Sequence, residues 1–336
     1  MLFRFILPII LWLAPLSFAE YLEQGNAHYK KGDYKNALQM YQKAETSGEN
    51  LVMVLFNKAN SLYQLGQTGR ALVIYEHIID LAPKFTRSYL NAGGIYFQMD
   101  EVGKALSYYK KAYEYEPENM TALKMMGESY LKLEQRSQAL EYFEKGMRLA
   151  PKDMNWTYAI LDVYLSLDDN ESARDLLNEA LEDQESADLE FLLAEVYYSL
   201  ENKGLSIQHF NKGLELEPRP DVYFRLAQVH EEMENPFLAM MTLQEGLNTK
   251  ILDIDANLEL GRLYFGQKSF SQALEQYQIA AKDGKSGART GFLLLLREAA
   301  LQPGTQFRKD VILKTQELYP SDEEMQEAIA YVKGQL

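Results

Sequence analysis

The chain has 336 residues, 47% of them hydrophobic and 12% aromatic, with 49 acidic against 34 basic side chains and a formal net charge of −15. That apolar content excludes a disordered chain, and the acidic balance disfavours nucleic acid and anionic lipid head groups as partners. With 10 prolines and no cysteine, the chain has no room for a long linker and no disulfide, thiol nucleophile or thiolate metal site, so one elongated folded domain is expected.

The N-terminus opens on Met1-Leu2-Phe3-Arg4, continues as an apolar stretch from Phe5 to Leu16, and places small residues at Ser17 and Ala19. One early cation, an apolar core and a small-residue cleavage site predict a signal peptide over residues 1–19, cut after Ala19. The apolar run is shorter than the roughly 20 residues a spanning helix needs, so membrane contact is expected only if the leader stays uncleaved. A cysteine-free chain sent across a membrane fits a periplasm better than a disulfide-forming compartment. Secretion, or an endoplasmic-reticulum lumen in a eukaryote, is the alternative. The triplets at Asn119, Asn155 and Asn170 that would accept N-glycans there are common enough to arise by chance.

From residue 18 onward a unit of 33 to 34 residues recurs eight times, over 18–51, 52–85, 86–119, 120–153, 154–186, 187–219, 220–253 and 254–287. Unit position 8 is small in seven units, through Gly25, Ala59, Gly93, Gly127, Ala194, Ala227 and Gly261, with Leu161 the exception. Position 20 is alanine except at Ser206, and position 24 is bulky, running Tyr41, Tyr75, Tyr109, Phe143, Leu177, Phe210, Leu243 and Tyr277. Position 27 is small except at Ile78, and Pro83, Pro117, Pro151 and Pro218 stand at position 32, where a residue without an N–H ends a helix. Positions 20, 24 and 27 share one face of a second helix, and positions 4, 7, 8 and 11 share one face of a first. Each unit is thus predicted to be an amphipathic helix hairpin that buries its apolar faces only by stacking on its neighbours. Most of the tyrosine excess falls at position 11, in Tyr96, Tyr130, Tyr164, Tyr197 and Tyr264, and is assigned to packing.

After residue 287 the pattern decays. Ala288 to Leu301 reads as a ninth first helix and Phe307 to Tyr319 as its degenerate partner, while Ser321 and Glu324 suggest a capping box opening a last helix near the end of the chain. Residues 288–336 are therefore expected to be a degenerate ninth repeat with C-terminal capping helices.

Signals for catalysis are weak. His28, His77, His209 and His230 have no repeated ligand spacing that would hold a metal, and His28 and His230 occupy the tyrosine-rich position 11. Gly284-Lys285-Ser286 imitates the end of a phosphate loop, but Ile279 stands where its first glycine belongs. No enzyme, cofactor or metal is expected.

The small, bulky and proline positions of this repeat resemble the tetratricopeptide repeat. The resemblance implies an all-α, right-handed α-solenoid of about eight to nine helix hairpins with a C-terminal capping helix. It further implies a concave groove lined by positions 2, 5, 6, 9, 12 and 13 of each first helix, in which an extended peptide lies. Those positions hold Asn26, Tyr29, Phe56, Asn57, Asn60, Tyr63, Arg87, Asn91 and Phe97 in a neutral, amide-rich stretch, then Lys124, Glu128, Asp162 and Glu195 in an acidic one. Amides suit a peptide backbone and the acidic stretch suits a basic segment. The family's carboxylate clamp is only partly matched, by Asn26, Asn57 and Arg87, with Leu22 where its first lysine belongs and Asn91 where its last arginine belongs. The expected function is a non-enzymatic exported scaffold that binds a protein or peptide segment, serving envelope or surface-complex assembly. The alternatives are a docking subunit of an envelope enzyme and a lumenal co-chaperone.

Overall fold

The computed structural model describes residues 18–46 and 51–334; the signal-peptide reading, apart from Phe18 and Ala19, lies outside them. Among the described residues the chain forms nineteen α-helices and no strand, an α-solenoid of helix hairpins. It divides into two compact units, one reaching Leu167 and one starting at Asp168. The first holds α1 (Phe18–Lys30), α2 (Tyr34–Glu45), α3 (Leu51–Gln64), α4 (Thr68–Leu81), α5 (Thr86–Gln98), α6 (Val102–Tyr115), α7 (Met120–Lys132), α8 (Arg136–Leu149) and α9 (Met154–Ser166). The second holds α10 (Asn170–Asp183), α11 (Ala187–Ser199), α12 (Lys203–Leu216), α13 (Pro220–Glu232), α14 (Pro236–Asn248), α15 (Asp255–Gly266) and α16 (Phe270–Lys282). It closes with α17 (Ser286–Ala300), α18 (Gln306–Leu318) and α19 (Glu323–Gly334).

The small residue at position 8 is required by the bulky one at position 24. A Cβ added to Gly93 would lie 2.6 Å from Tyr109 Cε1, and one added to Gly127 would lie 2.2 Å from Phe143 Cε1. The ring of the second helix therefore lies flat on the backbone of the first, and Tyr41, Tyr75, Tyr109, Phe143 and Phe210 are fully buried. Truncating such a ring costs about 3–5 kcal/mol. The position-11 tyrosines pack as expected, but against a partner that the repeat pattern left unnoticed. Tyr96 stacks on Tyr108 with centroids 5.3 Å apart, Tyr130 on Tyr142 at 5.5 Å, and Tyr197 on His209 at 5.1 Å. Position 11 thus pairs with position 23 across each of these hairpins.

The turn between the two helices is built the same way each time. Gly32, Gly66, Asp100, Glu134, Asp168, Glu201, Glu234 and Lys268, all at unit position 15, have φ between +56° and +75°. The N–H of the following residue reaches back to a first-helix carbonyl, as Gln135 does to Tyr130 at 2.8 Å, which satisfies an end carbonyl of the helix. Six of the eight positions hold residues that adopt this left-handed conformation at a cost.

At the C-terminal end, Met325, Ile329 and Val332 of α19 are buried against a core that includes Phe292, Leu295 and Val311. The expected Ser321–Glu324 capping box does not form. Asp322 takes the cap instead, accepting from the Met325 N–H at 3.1 Å, while Glu324 is held by Arg289 at 2.6 Å. Arg289 also binds both oxygens of Asp322, which holds that carboxylate in the capping position and its pKa below the ordinary range.

Candidate functional site

In the first unit the amide residues form rungs between successive repeats. Asn26 Oδ1 accepts from the Tyr41 hydroxyl at 2.8 Å and from Asn57 Nδ2 at 3.1 Å. One repeat later Asn60 Oδ1 accepts from the Tyr75 hydroxyl at 2.5 Å and from Asn91 Nδ2 at 2.9 Å. Each rung joins position 9 of one repeat to position 6 of the next and seats on the buried position-24 tyrosine between them. Burial pushes the Tyr41 hydroxyl up to about 12 and Tyr75 higher still, so both remain protonated donors. An outer rung joins positions 12 and 13, with Gln98 Nε2 donating to the Tyr63 hydroxyl at 2.5 Å.

Half of each amide is left over. Among the described residues, Nδ2 of Asn26 and Asn60 and Oδ1 of Asn57 and Asn91 make no hydrogen bond. Around the second rung opens a cleft of about 310 Å³ lined by Tyr29, Asn60, Tyr63, Gln64, Tyr75, Leu90, Asn91, Gly94, Ile95 and Gln98. The structure thus gathers four of the sequence-predicted residues, Tyr29, Asn60, Tyr63 and Asn91, in one place. Gln64, Leu90 and Gly94 join them, at groove positions 13, 5 and 9 but not among the residues singled out there.

The remaining predicted residues separate. Phe56 is withdrawn from the groove: it is 8% exposed and packs edge-on against Phe85, with centroids 5.2 Å apart. A large apolar side chain at position 5 gains more from the interior than from the surface. Phe97 is half-buried beneath Lys132, whose Nζ lies 5.0 Å from the ring centroid. Arg87 and Asp162 are exposed, and neither forms an ion pair among the described residues. Lys124 lies 3.8 Å from Glu128, a long i,i+4 pair on α7. Asn26, Asn57 and Asn91 are engaged in the rungs, so these clamp positions serve an internal network first.

The ladder stops at the third repeat. Position 9 is Gly94 and the next position 6 is Met125, neither of which offers an amide, and the Tyr109 hydroxyl is buried without a hydrogen-bond partner. A Cβ at Gly94 would lie 3.9 Å from that hydroxyl.

The second unit fills the same register with ions. Glu195 at position 9 receives a bidentate pair from Arg225 at position 6 of the next repeat, both bonds 2.8 Å. Arg225 also lies over the Tyr198 ring, 4.1 Å from its centroid. The expectation that Glu195 faces a basic ligand is therefore corrected, since an arginine already neutralises it. The neighbouring acids behave alike: Asp188 pairs with Arg219 at 2.8 Å, Glu232 with Lys203 at 3.0 Å, Asp255 with Lys285 at 2.8 Å, and Glu231 and Glu259 share Arg262. A spacing of 30 or 31 residues between Asn and Asn, or between Glu and Arg, was the signal that could have revealed these rungs.

Among the described residues no group of three or more His, Asp or Glu side chains is placed to hold a metal ion.

Three family models, each described as the tetratricopeptide repeat, match residues 21–47 with 54–85, 96–158 and 158–223, together more than half of the chain. The chain belongs to the tetratricopeptide-repeat family. Its repeats form a scaffold fold suited to binding proteins or peptides. Similar solved structures include a tetratricopeptide repeat protein from Parabacteroides merdae, 18% identical, covering 74% of this chain and 98% of that one with a TM-score of 0.48. YrrB, described as having an unusual peptide-binding site, is 22% identical over 54% of this chain and 94% of its own, with a TM-score of 0.46. Pseudomonas aeruginosa pilF is 18% identical over 60% and 92%, with a TM-score of 0.47. No curated protein matches the chain.

Proposed function

We propose that this protein is a non-catalytic scaffold whose first unit holds an extended peptide segment across the two amide rungs. The observation that carries the reading is the set of unspent amide groups beside the 310 Å³ cleft. Each rung presents a donor on position 9 and an acceptor on position 6, which is what one peptide unit needs to bond through both its C=O and its N–H. Because the contacts go to backbone, they tolerate varied side chains, and Tyr29, Tyr63 and Leu90 supply apolar surface beside them. A preference for a basic segment rests on Asp162, which has no ion pair among the described residues, and on Glu128, whose pair with Lys124 is long, since Asp188, Glu195, Glu231 and Glu232 of the second unit are already paired.

The reading extends to export. Residues 1–19 have the pattern of a leader, and envelope or surface-complex assembly is the proposed setting. Protein recovered from the envelope is expected to start at Glu20.

The binding test is a selection of random extended peptides on wild-type protein, followed by titration of the winners against Gly94→Arg, which fills the cleft, and Arg225→Ala, which leaves the first unit alone. Gly94→Arg is expected to lose the peptides and Arg225→Ala to keep them. Equal binding by wild type and Gly94→Arg would remove the cleft from the function.

A further inference from the structure

At the C-terminal end of the second unit the groove positions change character. Continuing the repeat from residue 288 puts Leu293, Leu296 and Ala300 of α17 at positions 6, 9 and 13, where most earlier repeats carry an amide or a charged side chain. Between them and α19 lies a slot of about 600 Å³, floored by these residues with Ala328 and Val332 and edged by Leu301 and Tyr331. Leu301 is 73% exposed and Tyr331 64% exposed, while other large side chains of these helices, such as Phe292 and Leu295, are fully buried. The volume is in the range of sites that seat a ligand rather than a stray solvent gap.

Two opposite charges bracket this apolar floor. Arg297 and Glu327 are both exposed, both line the slot, and neither forms an ion pair among the described residues. Arg289, near the start of α17, is tied to Asp322 and Glu324 at the start of α19, so the two helices lie side by side start to start. In that register Glu327 is level with Leu293 and Arg297 with Tyr331, about 6 Å further along. Ala300 and Ala328 are small, which lets a third helix approach closely.

We propose that this slot is a second docking site, distinct from the amide cleft of the first unit and independent of it. Its occupant is an amphipathic helix of a partner protein, with aliphatic residues at i, i+3 and i+4 facing the floor, a basic side chain over Glu327 and an acidic one over Arg297. A partner carrying both charges satisfies two solvent-facing ions that the chain itself leaves unpaired, and the apolar stripe covers Leu301 and Tyr331.

The test uses the full chain and three fluorescein-labelled helical peptides that share one leucine stripe and differ only in their flanking charges: lysine at one end and glutamate at the other, lysine at both, or glutamate at both. Fluorescence anisotropy on wild type is expected to rank the mixed peptide first, by about twofold to fivefold, the scale of exposed ion pairs. Arg297→Glu is expected to move the preference to the double-lysine peptide, and Glu327→Lys to the double-glutamate peptide. Tyr331→Ala, at a solvent-facing position, is expected to weaken all three about tenfold, the loss of one anchoring aromatic. Circular dichroism on each variant is expected to show wild-type helicity and melting, because all three side chains are exposed. An order of affinities unchanged by either charge reversal overturns the proposal. So does the absence of peptide binding together with self-association of wild type that Tyr331→Ala removes, which would give the slot to a second copy.

Discussion

The same rung is made in two materials. In the first unit, position 9 of one repeat and position 6 of the next are Asn26 with Asn57 and Asn60 with Asn91; in the second they are Glu195 with Arg225. The outer rung repeats the substitution, with Tyr63 meeting Gln98 in one unit and Tyr198 meeting Glu232 in the other. A solenoid needs neighbouring first helices held in register, and either an amide pair or an ion pair does so. The consequences differ. An amide that spends one valence inward keeps another for a ligand, whereas a bidentate arginine and carboxylate close on each other. The neutral unit is thus the one equipped to hold a peptide backbone, whereas Asp188, Glu195, Glu231, Glu232, Asp255 and Glu259 of the second are spent on its own arginines and lysines.

The largest expected effect comes from breaking an amide rung at its buried end. Asn60→Ala removes the acceptor of the buried Tyr75 hydroxyl proton, leaving only the bond that its oxygen accepts from Asn91 Nδ2, and is expected to cost about 1–3 kcal/mol in urea denaturation, the penalty of a buried donor left unsatisfied. Adding Tyr75→Phe removes the donor that has lost its acceptor and is expected to recover part of the loss. If Asn60→Ala alone is neutral, the rung does not hold the repeats together.

A gain of about 1 kcal/mol is expected where the ladder is incomplete. Gly94→Asn replaces a mid-helix glycine, itself worth roughly 0.5–1 kcal/mol, and supplies an acceptor for the buried Tyr109 hydroxyl. Among the described residues beyond the local helix, the one atom within 4 Å of the new Cβ is that hydroxyl at 3.9 Å, an ordinary contact, so the Cβ fits without displacing a neighbour. A drop in melting temperature for Gly94→Asn would show that Tyr109 is satisfied in another way.

Much of this architecture was legible because it recurs within one helix or one hairpin. The small residue at position 8, the ring at position 24 and the prolines after the second helices all sit at fixed offsets inside a unit, and all appear in the structure where the repeat predicts them. The site was less legible because its bonds run between units. Asn57 and Asn91 read as free ligand donors when each first helix is considered alone, and Glu195 reads as an open charge until Arg225 is placed opposite it. Phe56 was misplaced for a related reason: position 5 lies near the boundary of the groove face, and a small rotation of the helix sends a phenylalanine there inward onto Phe85. The turns were hidden by composition, since only Gly32 and Gly66 announce the left-handed conformation that Glu134, Asp168 and the others share.

The smallest expected effect tests the ionic half of the comparison. Glu195 and Arg225 are a pair with ideal bidentate geometry but with side chains 46% and 25% exposed, so solvent screens them. The Glu195 carboxylate holds the Arg225 guanidinium above its ordinary pKa, so the arginine keeps its charge at any pH at which the protein is folded. A double-mutant cycle with Glu195→Ala and Arg225→Ala is expected to give a coupling of about 0.2–1 kcal/mol at low salt. Added salt is expected to weaken that coupling, because the Debye length falls from about 8 Å at physiological ionic strength to about 3 Å at 1 M, comparable to the separation of this solvent-touching pair. The matching cycle on Asn60 and Asn91 is expected to show no such decline, since neither partner carries charge. Equal salt dependence in the two cycles would mean that the rungs of the two units do not differ in physical kind. Arg225 would then hold its place by lying over Tyr198, a contact that Arg225→Lys weakens by removing the planar guanidinium while keeping the charge.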